Sequence, residues 1–113
     1  MQANHYMWII TKDLINEGSD EGRTGPRHAS KKQQTWMRTF MGHGDMLPDN
    51  AERFKLYDCD GKQYYQGILF TLPMAKSYFD DVEFSPLDDF GMPNAGCTGI
   101  KYRNRATGKW EYL

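Results

Sequence analysis

"RFKLYDCDGKQYYQGILF", residues 53–70, holds two alternating runs on either side of Asp60-Gly61. Asp-Gly between such runs marks a β-hairpin, because glycine tolerates the positive φ that a tight turn requires. Two registers are open. A two-residue loop of Asp60 and Gly61 sets Phe54 opposite Gly67 and Leu56 opposite Tyr65. A three-residue loop, Cys59-Asp60-Gly61, with a bulge at Gly61 slips the pairing by one. In both, Phe54 and Leu56 share one face of the ladder while Lys55 and Tyr57 share the other. The hairpin sets an antiparallel sheet as the frame for everything else.

Upstream, "YMWIIT" at 6–11 is apolar, aromatic and β-branched, which predicts a buried strand preceded by a flexible tail over 1–5. "KDLINEG" predicts one or two helical turns ending on Gly18. Residues 17–35 carry four glycines or prolines and almost nothing apolar, so they read as a long loop. "TWMRTFMG" spaces Trp36, Met37, Phe40 and Met41 as a short helix would. Downstream, "TLPMAKSYFDDVEFSP" divides between a short helix opened by Pro73 and an extended segment through Val82 and Phe84. Residues 85–97, with Pro86, Gly91, Pro93, Asn94 and Gly96, read as turns. "CTGIKYRN" and "KWEYL" form a second hairpin pattern joined by Arg105-Ala106-Thr107-Gly108. The expected fold class is α+β: one domain over 6–113, mainly antiparallel sheet with one or two short helices. A length of 113 residues matches a single domain, and an aromatic fraction of 14% suits a core built on rings.

Several chemistries are excluded by what the chain lacks. Asp88-Asp89-Phe90-Gly91 contains the triplet with which protein kinases hold a metal ion, yet phosphoryl transfer also needs a glycine-rich loop, a strand lysine and a catalytic Asp and Asn. None is present. The triplet is expected instead to be a tight turn whose aspartates accept backbone N–H groups and whose Phe90 anchors the loop. An EF-hand reading of Asp58 and Asp60 fails, because placing Gly61 sixth puts Leu56 first and Gly67 twelfth. "GRTGPRHASKK" lacks the Gly-Lys-Ser/Thr ending of a phosphate loop. His43 and Asp45 in "GHGD" are the one place where a base and a carboxylate lie close, and they mark the candidate site of an alternative ligand-binding or enzymatic role. No metal site and no cofactor is expected. No stretch approaches the roughly 20 apolar residues of a membrane span, and the start lacks the order of a secretory signal, so the expected setting is cytoplasmic with no membrane partner. Cys59 and Cys97 are expected as free thiols.

Net charge is −1, but the charges are blocked along the chain. Arg23, Arg27, Lys31, Lys32 and Arg38 are uninterrupted by acid; Asp80, Asp81, Glu83, Asp88 and Asp89 are uninterrupted by base; Lys101, Arg103, Arg105 and Lys109 follow. Such blocks pair on folding or present opposite fields on two faces.

"WIITKDLI", "LYDCDGKQYYQG" and "PLDDFGMPNAGCT", in this order, resemble blocks shared by a family of small phage-borne and bacterial mobile-element proteins. The resemblance covers about a third of the chain and brings no catalytic residues with it. It implies a setting in which small single-domain inhibitors of bacterial immune systems, anti-CRISPR proteins among them, block a nuclease complex by binding it; this is an analogy of setting and size. The expectation is therefore a non-enzymatic binding protein, an inhibitor of a host protein such as a CRISPR effector complex. Its contacts are expected from Asp80, Asp81, Glu83, Asp88 and Asp89, with Trp36, Phe79 and Phe90 supplying affinity. The alternative is a nucleic-acid-binding module using Arg23, Arg27, Lys31 and Lys32 with the C-terminal hairpin.

Overall fold

A computed structural model describes residues 6–25, 30–41, 47–48, 50–71 and 82–113. In chain order these residues form β1 (Tyr6–Asp13), β2 (Thr24–Gly25), α1 (Lys31–Arg38), β3 (Ala51–Tyr57), β4 (Gln63–Thr71), a π-helical turn (Leu87–Gly91), α2 (Met92–Ala95), β5 (Gly99–Arg103) and β6 (Trp110–Tyr112). The strands make one antiparallel sheet in the order β2-β1-β4-β3-β5-β6. The fold class is α+β, as expected.

Both registers anticipated for the first hairpin occur in it. At the tip, Asp58 N donates to Lys62 O at 2.9 Å and Gly61, at φ +81°, closes a three-residue loop. The Asp58 carboxylate accepts from the N–H groups of Asp60 and Lys62, each at 2.8 Å. An irregularity between Leu56 and Tyr57 then absorbs Tyr64, and the body of the ladder takes the other register, Phe54 opposite Gly67 and Leu56 opposite Tyr65. The second hairpin, β5–β6, also forms where expected.

Each face of the sheet buries a cluster. On one, Trp8, Phe54, Leu56, Tyr65, Ile100 and Tyr102 meet Val82, Leu87, Phe90 and Cys97 from the helical segment. On the other, Met7, Ile9, Ile68 and Phe70 meet Met37 of α1, with the Trp36 and Phe40 rings 4.9 and 5.5 Å from that of Phe70. Each fully buried aliphatic or aromatic side chain contributes about 1.5–3 kcal/mol of hydrophobic stabilisation.

Three expectations are corrected. The loop at 17–35 is interrupted by β2 and by α1, which starts at Lys31 because Ser30 and Gln33 form a reciprocal capping box: Ser30 Oγ accepts from Gln33 N at 3.1 Å and Gln33 Oε1 accepts from Ser30 N at 2.8 Å. Residues 85–97 are largely helical. Their prolines and glycines sit where helices accept them: Pro86 just before the π-helical turn, Pro93 in the first turn of α2, and Gly96 at φ +70° as its left-handed cap. In "KDLINEG", Lys12 and Asp13 end β1 and residues 14–18 form turns, with no helix. Asp13 is the reason: buried at the strand end, its carboxylate accepts backbone N–H groups of Ile15 (2.9 Å), Asn16 (2.8 Å) and Asp20 (3.0 Å), offering that backbone an alternative to helical bonds. The tail at 1–5 and the segment around Pro73 lie outside the described residues.

Burial is the largest single influence on the Asp13 carboxyl and raises its pKa, but the hydrogen bonds from Asn16, Ile15, Asp20 and the Ser19 side chain together outweigh it and hold the group below its ordinary value. A folded-state value below the unfolded one means that the stabilisation is complete above the unfolded pKa of about 3.9 and is lost as pH falls through the folded value. Asp13→Asn, which turns an amide donor toward donors, is expected to cost about 2–3 kcal/mol at pH 7. Urea denaturation at pH 7, 5 and 3 checks this: the gap to wild type persists at the upper two values and narrows at the lowest.

Candidate functional site

Alternation along the strands sorts their charges by sign. Directly paired residues of an antiparallel ladder share a face. Lys12 pairs with Gln66, Gln66 with Lys55, Lys55 with Lys101 and Lys101 with Tyr112, giving one row across five strands. Arg53 pairs with Ile68 and Arg103 with Trp110, so both arginines project to this same side, the side of Ile9 and Phe70. The strand carboxylates go the other way: Asp13 pairs with Tyr65, Glu52 with Leu69 and Glu111 with Tyr102, all members of the opposite cluster. Among the strand residues, every cation is on one face and every anion on the other.

α1 covers the Ile9–Phe70 end of the basic face. Beyond it the row stays accessible: Lys12 is exposed, Gln66, Lys55 and Lys101 are half-buried, and Tyr112 is 58% exposed. Asp58 and Asp60 at the hairpin tip bound the face at one end. α1 itself lies on this side and adds exposed Lys31, Lys32 and Arg38.

Two lysines of the row rest on rings. Lys55 Nζ is 4.1 Å from the centroid of Trp110, and Lys101 Nζ is 4.8 Å from Tyr57 and 4.6 Å from Tyr112. Tyr57 and Tyr112 meet edge to face at 5.6 Å. Each exposed cation–π contact is worth about 0.5–1 kcal/mol, which offsets the cost of two like charges directly opposite on neighbouring strands. Burial, and next the Lys101 charge, lower the pKa of Lys55. An anion placed between the two ammonium groups would relieve the second of these. At the edge of the face, Arg105 Nη1 and Nη2 donate to Pro48 O (3.3 Å) and Leu47 O (3.1 Å), and a groove of about 220 Å³ is lined by Leu47, Ala51, Glu52, Arg53, Arg103 and Arg105.

The residues expected to carry function are dispersed. Asp80, Asp81 and Phe79 lie outside the described residues, as do Arg27, His43 and Asp45. Glu83 is half-buried and its carbonyl accepts from the Tyr102 hydroxyl at 2.6 Å. Asp88 is exposed on the π-helical turn. Among the described residues no backbone N–H group donates to Asp89; its Oδ2 accepts from the Tyr6 hydroxyl at 2.7 Å and from Trp8 Nε1 at 3.0 Å, tying the turn to β1. Burial, then this bond to Asp89, push the Tyr6 hydroxyl up to about 12. Phe90 anchors the loop as expected, but at 1% exposure, with its ring against Trp8 and Tyr65, it has no surface to offer a partner. Trp36 keeps 40% of its surface exposed while packing on Phe70. Arg23 lies over the Phe90 ring at 5.3 Å and pairs with Asp20 at 3.3 Å, on the face away from the row. Lys12, Lys55 and Tyr57 were not among the expected contacts, and the shared face of Lys55 and Tyr57 was the one signal that pointed to the last two; Lys101, Trp110 and Tyr112 belong to the C-terminal hairpin of the nucleic-acid alternative.

The arrangement offers charge and ring surface. Among the described residues no group of three His, Cys, Asp or Glu side chains is placed to hold a metal ion. Cys59 and Cys97 are both free; burial, and then the Asp58 charge, push the Cys97 thiol up to about 11, where it is protonated at neutral pH. No helix of the described residues is long and apolar enough to cross a membrane. Comparison with protein-family models, with curated proteins and with solved structures finds no match to this chain.

Proposed function

We propose that the chain is a non-enzymatic binding protein whose contact surface is the basic, aromatic-lined face of β3, β5 and β6, and whose partner is a polyanion. The observation that carries this reading is the sorting of strand charges: Lys12, Arg53, Lys55, Lys101 and Arg103 share one face on which none of the described strands places a carboxylate. A protein of net charge −1 has no global attraction for a polyanion, so binding depends on this local field, which concentrates the ligand and weakens as salt screens it. Retention on immobilised heparin at pH 7 and low ionic strength, with elution on raising the salt, is the expected result. Flow-through at low salt contradicts the reading.

A second reading keeps the inhibitor of a bacterial immune nuclease complex. Its support is the opposite face, where Glu52, Glu83, Asp88 and Glu111 stand on the side away from the lysines, a distribution suited to a basic nucleic-acid channel. Co-purification of such a complex from a host lysate tests it. This second reading puts the protein in the host-cell cytoplasm, in keeping with two free cysteines.

A further inference from the structure

The row across the sheet carries more than charge. Strands lie about 4.8 Å apart, so Lys55 and Lys101 stand one strand spacing from each other and Lys12 two spacings from Lys55. Compact ammonium groups on flexible stems suit a succession of phosphates better than a single planar anion. Rings border them: Trp110 beneath the Lys55 ammonium, and Tyr112, 58% exposed, at the end of the row.

Resting on the polyanion reading, we propose that the ligand is single-stranded nucleic acid, laid across the strands with phosphates on Lys12, Lys55 and Lys101 and bases stacked on Tyr112 and Trp110. Rings beside cations decide between polyanions. Bases of a duplex are already stacked on one another, a sulfated polysaccharide has none, and neither gains from an exposed tyrosine; an unpaired base does. In the free protein the Lys55 ammonium occupies the ring face of Trp110 that a base would take. On binding, the ammonium moves to the phosphate as the base replaces it on the ring. Among the described residues α1 is the longest α-helix, and at eight residues with its Met37 packed into the core it makes a poor reader of a duplex major groove. Gln66 is the sole neutral amide in the row, so binding tolerates many sequences.

The test is fluorescence anisotropy at low salt with a labelled oligothymidylate of about 15 residues, a length that spans one small-domain site. A duplex of equal length and heparin serve as competitors, and Tyr112→Ala is compared with wild type after circular dichroism shows both folded. The expected result is binding of the oligothymidylate that the Tyr112→Ala variant weakens about tenfold, with its heparin affinity changed less than about twofold. Equal binding of all three polyanions, unmoved by Tyr112→Ala, overturns base stacking and leaves the polyanion surface standing. Binding to none of the three overturns both.

Discussion

Gly67→Ala is expected to cost about 3 kcal/mol or more, at the upper end of what overpacking does, and to shift the urea midpoint accordingly. Gly67 sits on β4, between β1 and β3. A Cβ there would stand 2.4 Å from the backbone oxygen of Ile9 and 2.4 Å from Cζ of Phe54. Neither neighbour can retreat: the carbonyl belongs to a central strand, and Phe54 has no exposed surface and packs its ring on Tyr102 at 6.2 Å. Replacing glycine by alanine usually stabilises by about 0.4–1 kcal/mol through the unfolded chain, so the steric term must be several times larger and of opposite sign. Gly61→Ala is the internal control. Its Cβ would meet nothing within 4 Å, and only the positive φ, worth about 1–2 kcal/mol, opposes it. Equal losses for the two variants would mean that the close approach of β1 and Phe54 to β4 is absent.

Lys55→Gln/Lys101→Gln is expected to weaken polyanion binding about 100-fold and to lower the slope of log affinity against log salt by about 2, one for each phosphate-type contact removed. The fold should tolerate the change. Both side chains are half-buried on the surface of the sheet, and the double substitution removes three cation–π contacts of about 0.5–1 kcal/mol each together with the repulsion that opposed them. Stability within about 1 kcal/mol of wild type, alongside lost binding, separates a contact role from a structural one. Unchanged affinity and slope would place the polyanion elsewhere on the molecule.

The parts of the fold that were legible in the sequence are those decided locally. Asp60-Gly61 between alternating runs specifies the first hairpin, and both of its possible loops are used, one at the tip and one in the ladder. "YMWIIT" follows from its unbroken apolar and β-branched run, buried on both faces, and the second hairpin from the same kind of pattern as the first. What escaped was decided by distant partners or by residues with two meanings. Proline and glycine in 85–97 mark turns and helix boundaries alike, and only packing of Leu87, Phe90 and Cys97 against Trp8, Leu56 and Tyr65 selects the second. Asp13 is an ordinary helical residue in a linear reading, whereas in the fold it gathers three N–H groups and blocks the helix. The candidate site was the least legible part. Sorting strand charges onto two faces needs β3 paired with β5, elements far apart in sequence with no local signal joining them. Blocks of like charge drew attention to Asp80–Asp89, yet Asp89 serves the tether to Tyr6 and Trp8 and Phe90 is buried, while single lysines scattered over three strands form the row.

Amide chemical-shift mapping of the wild-type protein titrated with a short heparin fragment tests the central claim most directly. The account predicts shifts at Lys12, Gln66, Lys55, Lys101 and Tyr112 and at the Trp110 indole N–H, with Leu87–Ala95 on the opposite side unmoved. Shifts centred on Leu87–Ala95, or none at saturating fragment, would contradict it.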